Sequence, residues 1–367
     1  MALSYATFLT RVSQFLQDTG LAIYDSTELG MWIEGGLKQL SRYSPVLLDV
    51  IYQVESRTGT DVTRAASTLT DATKSQFLST DPTNEKVVHN TTDDTWAVVT
   101  AYTSTSVLSI SKNIMASGES YEIYNKRCTN KRQIYIGDMP SYLWVDSVEY
   151  PIGTERNFTQ ISQNIIELDV EDSTIKDSNS TLTTLNSVDV LVKFAMPQVL
   201  SQLTDWSGLL SANAAAGATS VAIDGMAGSE VIEVGEMFNL SPVGAIYTAH
   251  RASYIVTTAL TLDGTGAGTI ASFYPPLEAA ALDNCVIAFT KSTLQPREED
   301  LLERMVVSRA VQSDSIRHIN TVPVGGMNTM ARYQQWLNNN PLLNSALIQR
   351  ELQSLAHPRV AKRCSRE

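Results

Sequence analysis

Four histidines, His89, His250, His318 and His357, are the side chains best suited to proton transfer or metal binding. None has a second histidine at a metal-ligand spacing. His89 with Asp93 and Asp94 can be written as a metal cluster, but Asn90-Thr91-Thr92 between them reads as a turn, and the turn is the preferred reading. Glu167, Asp169 and Glu171 alternate along a strand and share one face, where a row of carboxylates can hold a hard cation. The simpler reading is the solvent face of an antiparallel strand. Gly264-Thr265-Gly266-Ala267-Gly268 has the glycine content of a phosphate loop but lacks the Lys-Ser/Thr pair and a following helix, so it reads as a hairpin turn. Cys128 has no histidine nearby in sequence to activate it. Cys128, Cys285 and Cys364 fit neither a metal spacing nor a disulfide framework and read as free thiols of a reducing compartment. No catalytic, cofactor-binding or metal-binding residue is expected, and no enzymatic activity.

Composition points the same way. The 367 residues are 43% hydrophobic and 18% charged, enough apolar material for packed cores and too little charge for a disordered chain. The formal net charge of -12 disfavours sequence-specific nucleic-acid binding and suits equally a channel through which DNA slides without sticking and plain solubility. The charge is uneven. From Arg297 to Glu367 ten Lys/Arg stand against seven Asp/Glu. Arg359, Lys362, Arg363 and Arg366 make the last stretch basic, either as a solvated tail or as an arm docking on an acidic partner or DNA. Met1-Ala2-Leu3-Ser4-Tyr5 lacks the features of a signal peptide, and no apolar run reaches the roughly 20 residues that span a bilayer, so no membrane association is expected.

The elements that would position these groups follow from periodicity. Tyr5, Phe8, Leu9, Val12, Phe15 and Leu16 lie on one helix face, with Gly20 as the expected C-cap. Asp25 and Glu28 have capping-box spacing for a second helix carrying Leu29, Trp32, Ile33, Leu37 and Leu40. Strand patterns then dominate to Thr290, interrupted by a Ser/Thr/Asn/Asp loop at Asp172 to Ser187. Helical spacing returns after Pro296 with Leu301, Leu302, Met305, Val306 and Ala310. Further helices are expected around Met327 to Asn338 and after Pro341. This organisation predicts an α+β fold: a helical bundle built from both chain ends, an antiparallel β-sheet centre and two inserted β-modules. The expected boundaries are 1–55 for the N-terminal hairpin and first strand, 56–126 and 208–292 for the β-modules, 127–207 for the central β region, and 293–367 for the C-terminal helices and basic arm. Phe8, Phe15, Trp32, Leu37, Leu302 and Met305 are expected to share one core.

Four stretches carry a family resemblance. The opening, from Phe8-Leu9-Thr10-Arg11-Val12 through Glu34-Gly35-Gly36-Leu37-Lys38-Gln39-Leu40, resembles the start of head-to-tail adaptor (head completion) proteins of tailed bacteriophages. The run from Tyr135-Ile136-Gly137-Asp138-Met139-Pro140 through Glu149-Tyr150-Pro151, and His89-Asn90-Thr91-Thr92-Asp93-Asp94-Thr95-Trp96-Ala97, are similar to segments recurrent in phage virion proteins. Ala215-Ala216-Gly217-Ala218-Thr219-Ser220 resembles the start of small β-modules in such proteins. The two large β insertions depart from short adaptors. The resemblance implies a virion protein assembled in the host cytoplasm, forming a homo-oligomeric, dodecameric ring between portal protein and tail protein. It further implies a helical bundle near a DNA channel, with Arg359, Lys362, Arg363 and Arg366 on an arm gripping the portal. The alternatives are another phage structural protein, a tail or capsid-decorating subunit, or a carbohydrate-binding adsorption protein using Trp96 or Tyr102 as a sugar platform.

Overall fold

Ser4 and Asp25 start the first two helices. In the computed structural model, which describes residues 4–63, 65–175, 189–241, 253–317 and 345–355, the Ser4 hydroxyl accepts the Thr7 amide at the head of α1 (Tyr5–Phe15). Asp25 accepts the Thr27 amide at the head of α2 (Ser26–Ser41). The expected cap at Gly20 is corrected: α1 stops at Phe15, with Leu16 as its C-cap. The loop is organised by the buried Asp18, whose carboxylate accepts the amides of Ala22, Ile23 and Tyr24 at 2.9, 2.8 and 2.9 Å. Three donors converging on one carboxylate hold that turn without a left-handed glycine. Pro296 occupies the first turn of α3 (Pro296–Arg317), and α4 spans Ser345–Leu355.

These helices share one hydrophobic cluster. Phe8 and Val12 of α1, Leu29 and Ile33 of α2, Leu302 and Met305 of α3, and Leu352 of α4 are all buried in it. Trp32 and Leu37 pack against it while partly exposed. Phe15 departs from expectation: it is 45% exposed. α2 and α3 approach closely at Gly36, where an added Cβ would lie 2.5 Å from Leu302 Cδ1.

The expected fold class is nevertheless overturned. Strand accounts for 33% of the chain and helix for 20%, and the sheets curl into barrel-like forms, so the protein is a mostly β molecule and not a helical bundle built from both chain ends. The reason is energetic. The seven-stranded and six-stranded sheets each close on their own apolar core and do not depend on the helices for burial. The basic arm, the expected helix at Met327 to Asn338, Pro341, His250, His318, His357 and Cys364 lie outside the described residues, as does most of the Asp172 to Ser187 loop.

The chain forms two compact units. The first comprises, among the described residues, 4–48, Ser141–Trp144 and the chain between 195 and 355. Besides the helices it holds a seven-stranded sheet in the order Gly268–Ile270, Val221–Asp224, Ser207–Leu210, Val286–Phe289, Met237–Ser241, Tyr254–Val256, Phe273–Tyr274. Its two outermost strands follow each other in sequence, and the Phe273 amide donates to the Thr219 carbonyl at 3.0 Å, so the sheet curls on itself. Phe238 sits at the centre, with the rings of Tyr254, Phe273 and Phe289 at 5.4, 5.3 and 5.7 Å. This module leaves the helices through a two-stranded neck. Ser201 N–H donates to the Lys291 carbonyl and Thr293 N–H to the Val199 carbonyl, while Leu200 and Leu294 are buried in the helical cluster.

The second unit comprises Asp49–Pro140 and Val145–Phe194. A six-stranded sheet runs in the order Thr58–Thr60, Ser120–Tyr124, Val87–Asn90, Thr95–Ser104, Val107–Ile110, Thr68–Thr70. Its open edges meet just beyond the first strand. Val62 N–H donates to the Thr70 carbonyl at 2.9 Å, and the Asp61 carboxylate accepts the Thr70 amide at 2.8 Å. Closure removes the exposed edges that an open sheet would leave. A three-stranded antiparallel sheet pairs Phe158–Ser162, Ile165–Leu168 and Gln133–Tyr135. A further sheet runs Val46–Gln53, Asp189–Met196, Trp144–Glu149, Glu155–Arg156.

Candidate functional site

The candidate metal cluster at His89 resolves into turn chemistry. Asn90 Oδ1 accepts the amides of Thr92 and Asp93 at 2.9 and 3.3 Å, building the turn between two strands. Asp94, at φ 53° in that turn, meets His89 Nε2 at 2.9 Å, whereas Asp93 turns to Glu119. A hydrogen bond with Glu119, and that group's charge, raise the Asp93 carboxyl above its ordinary range. Among the described residues no group of three His, Cys, Asp or Glu side chains is placed to hold a metal ion.

Cross-strand register places Glu122, His89 and Trp96 side by side. His89 lies flat on the Trp96 indole, with centroids 3.8 Å apart and 9° between planes. One face of the candidate sugar platform is thereby covered. Tyr102, the other, packs against the core of the same barrel. Beside this row a cavity of about 140 Å³ is lined by Ser56, Thr58, Glu122, Tyr124, Lys131 and Ile175. It brings a carboxylate and an ammonium group to one small space, though the Tyr124 hydroxyl already donates to Glu122.

The carboxylate row at Glu167 is engaged in folding. Gln133 Nε2 and Asn130 Nδ2 donate to Glu167 at 2.9 and 3.2 Å, and Arg132 lies at 2.9 Å. The Gln133 bond leads the causes that lower the Glu167 carboxyl. Asp169 and Glu171 are exposed. The glycine run at 264–268 is a tight turn: Asp263 Oδ1 accepts the Thr265 and Ala267 amides at 2.8 and 3.0 Å, and Gly266 takes φ 79°. A Cβ there would fall on the Met226 carbonyl. Cys128 is buried, and burial pushes its thiol up to about 12, which makes it a poor nucleophile.

Spacing gives no signal for a dense cluster of buried charge among the described residues. Arg57 is 1% exposed and makes two bidentate pairs. Its Nε and Nη2 donate to Glu55 at 3.0 Å each, and its Nη1 and Nη2 to Asp81 at 2.9 and 2.7 Å. Lys86 Nζ adds a contact to Glu55 at 2.9 Å. Burial pushes the Glu55 carboxyl up, but Lys86 and Arg57 outweigh it and hold the group at about 2. Asp81 lies 24 positions from Arg57 and Lys86 31 positions from Glu55, and folding alone unites them.

A second unforeseen cluster sits at the neck of the seven-stranded module. Glu230 Oε1 accepts the amides of Thr204 and Asp205 at 2.7 and 3.1 Å, together with the Thr204 hydroxyl. Glu236 accepts from the Ser201 hydroxyl and the Gln202 amide. The segment carrying both glutamates thus grips four neck residues, Ser201, Gln202, Thr204 and Asp205. The basic-arm residues Arg359, Lys362, Arg363 and Arg366 lie outside the described residues, so none is placed near these clusters.

No protein-family model, curated protein or solved structure matches this chain. Among the described residues no helix is long and apolar enough to cross a membrane.

Proposed function

We propose that this chain is a virion structural subunit, a head-to-tail adaptor of a tailed bacteriophage. It closes with copies of itself into a ring, docks on the portal, offers a platform to the tail and leaves a channel for DNA. The observation that carries this reading is the neck. A module with its own aromatic core joins a helical cluster through two paired strands, with Leu200 and Leu294 anchoring the junction. Such a part projects from a body without disturbing it, as an assembly surface requires. The charge of -12 supports passage of DNA without retention. The buried ion pairs around Arg57 are satisfied internally and support a scaffold role for that barrel. The proposed station between portal and tail rests on the sequence resemblance alone. Native mass spectrometry and negative-stain imaging of the purified protein test the reading. A cyclic ring, twelvefold by the resemblance, is expected. A monomer at micromolar concentration would overturn it, and a trimer would favour a tail or adsorption protein.

A further inference from the structure

The neck cluster combines the junction of the seven-stranded module with two glutamates that each keep one buried oxygen without a hydrogen-bond partner among the described residues. Ser201 is its centre. Its amide donates to the Lys291 carbonyl at 2.9 Å, its carbonyl accepts the Tyr5 amide at the head of α1 at 3.4 Å, and its hydroxyl meets Glu236. One residue therefore joins the neck strands, the first helix and the module. Glu236 follows the turn at Gly235, whose φ is 96°, and its own carbonyl accepts the Val256 amide at 2.9 Å. The residue is 5% exposed, and its Oε2 is buried with no hydrogen-bond partner among the described residues. The same holds for Glu230 Oε2.

We propose that Glu236 is a proton-operated latch that fastens the seven-stranded module to its neck and to α1 when protonated, and loosens it when ionised. An ionised carboxylate here has two donors and one bare oxygen in a water-poor site, so opening the neck to solvent relieves it. The neutral acid leaves only an unpaired hydroxyl there, a smaller cost than a buried charge. Among the described residues, the neighbouring charged groups do not rescue the anion. Glu233 on its own turn repels it, Glu230 and Asp205 are acidic, and the Lys291 ammonium sits over the Trp206 ring at 4.1 Å. Burial first, then the Glu233 charge, push the Glu236 carboxyl up to about 7, against the bonds from Ser201 and Gln202. A raised value in the closed state means that the fastening is complete below the ordinary 4.5 and is lost as pH rises through about 7. The latch belongs to this unit alone and operates in a ring subunit or a free chain.

Hydrogen exchange of the full-length protein tests it. The amides of Gln202, Thr204 and Val256 are followed from pH 5 to pH 8.5, with intrinsic exchange rates divided out. Their protection is expected to fall more than about tenfold with a midpoint near 7. In Glu236→Gln, which keeps an acceptor for Gln202 but cannot ionise, protection is expected to stay flat. Glu233→Gln removes the like charge and is expected to move the midpoint to lower pH, a readout that survives if Glu236→Gln fails to fold. A flat profile in the native protein, an unchanged step in Glu236→Gln, or an unmoved midpoint in Glu233→Gln would overturn the latch.

Discussion

Arg57 shows how a single buried charge can govern a barrel. Its guanidinium is fully engaged by Glu55, Asp81 and the Gln76 carbonyl, so removing it leaves two carboxylates out of water with only Lys86 nearby. Arg57→Met is expected to cost about 3–5 kcal/mol in urea unfolding of the barrel, since an uncompensated buried charge is the expensive outcome. Arg57→Lys should recover little, because an ammonium cannot make two planar bidentate pairs. Glu55 adds a pH dependence of opposite sign to the neck latch. Its carboxyl is lowered from 4.5 to about 2, so its contribution is present above 4.5 and lost as pH falls through about 2. The stability difference between the native chain and Glu55→Gln, measured by urea titration at pH 7, 4 and 2.5, should shrink stepwise. A constant difference would mean that the ion pair contributes nothing as a charge.

Among the elements, the α2–α3 crossing and the neck set the geometry. Gly36 gives up helix propensity so that α2 can lie close to Leu302, which is itself fully buried and has no room to retreat. Gly36→Ala gains about 1 kcal/mol of helix propensity but loses about 1–3 kcal/mol to overpacking. A net fall in thermal stability is expected, smaller in the double variant with Leu302→Val, where the clash is relieved. The neck leads to a second expectation. Ser201 N and Lys291 O are 2.9 Å apart, so replacing 202–290 with a short Gly/Ser bridge joins ends that already touch. The helical far-UV circular dichroism and the resistance of the helices to proteolysis should survive. Global unfolding would show that the module is part of the core.

At the scale of the whole molecule, the ring reading makes the basic C-terminal segment a contact. A chain ending at Leu355 should assemble like the full chain but fail to join purified portal protein. Arg359, Lys362, Arg363 and Arg366 can each make a charge-assisted hydrogen bond to an acidic surface. Equal portal binding by the two chains would reduce the segment to a solvated end. Salt alone does not discriminate, since contacts to portal and to DNA both weaken as charge is screened.

Local physical rules decided a good part of this. Apolar spacing of three and four located α1, α2 and α3, Asp25 capped α2, Pro296 opened α3, and the glycine run at 264–268 was a turn, because each depends on neighbours within a few residues. The same rules erred where a local signal had a non-local competitor. Gly20 yielded the loop to Asp18, and Phe15 sits on the helix stripe yet faces outward. Fold class was misjudged because periodicity tells which face is buried and not what buries it; the β segments close on themselves. Only the tertiary structure brought Arg57 to Asp81 and Glu236 to Ser201, pairs separated by 24 and 35 positions. Desolvation, which turns an ordinary glutamate into a group titrating near neutrality, exists only once the surrounding chain has excluded water.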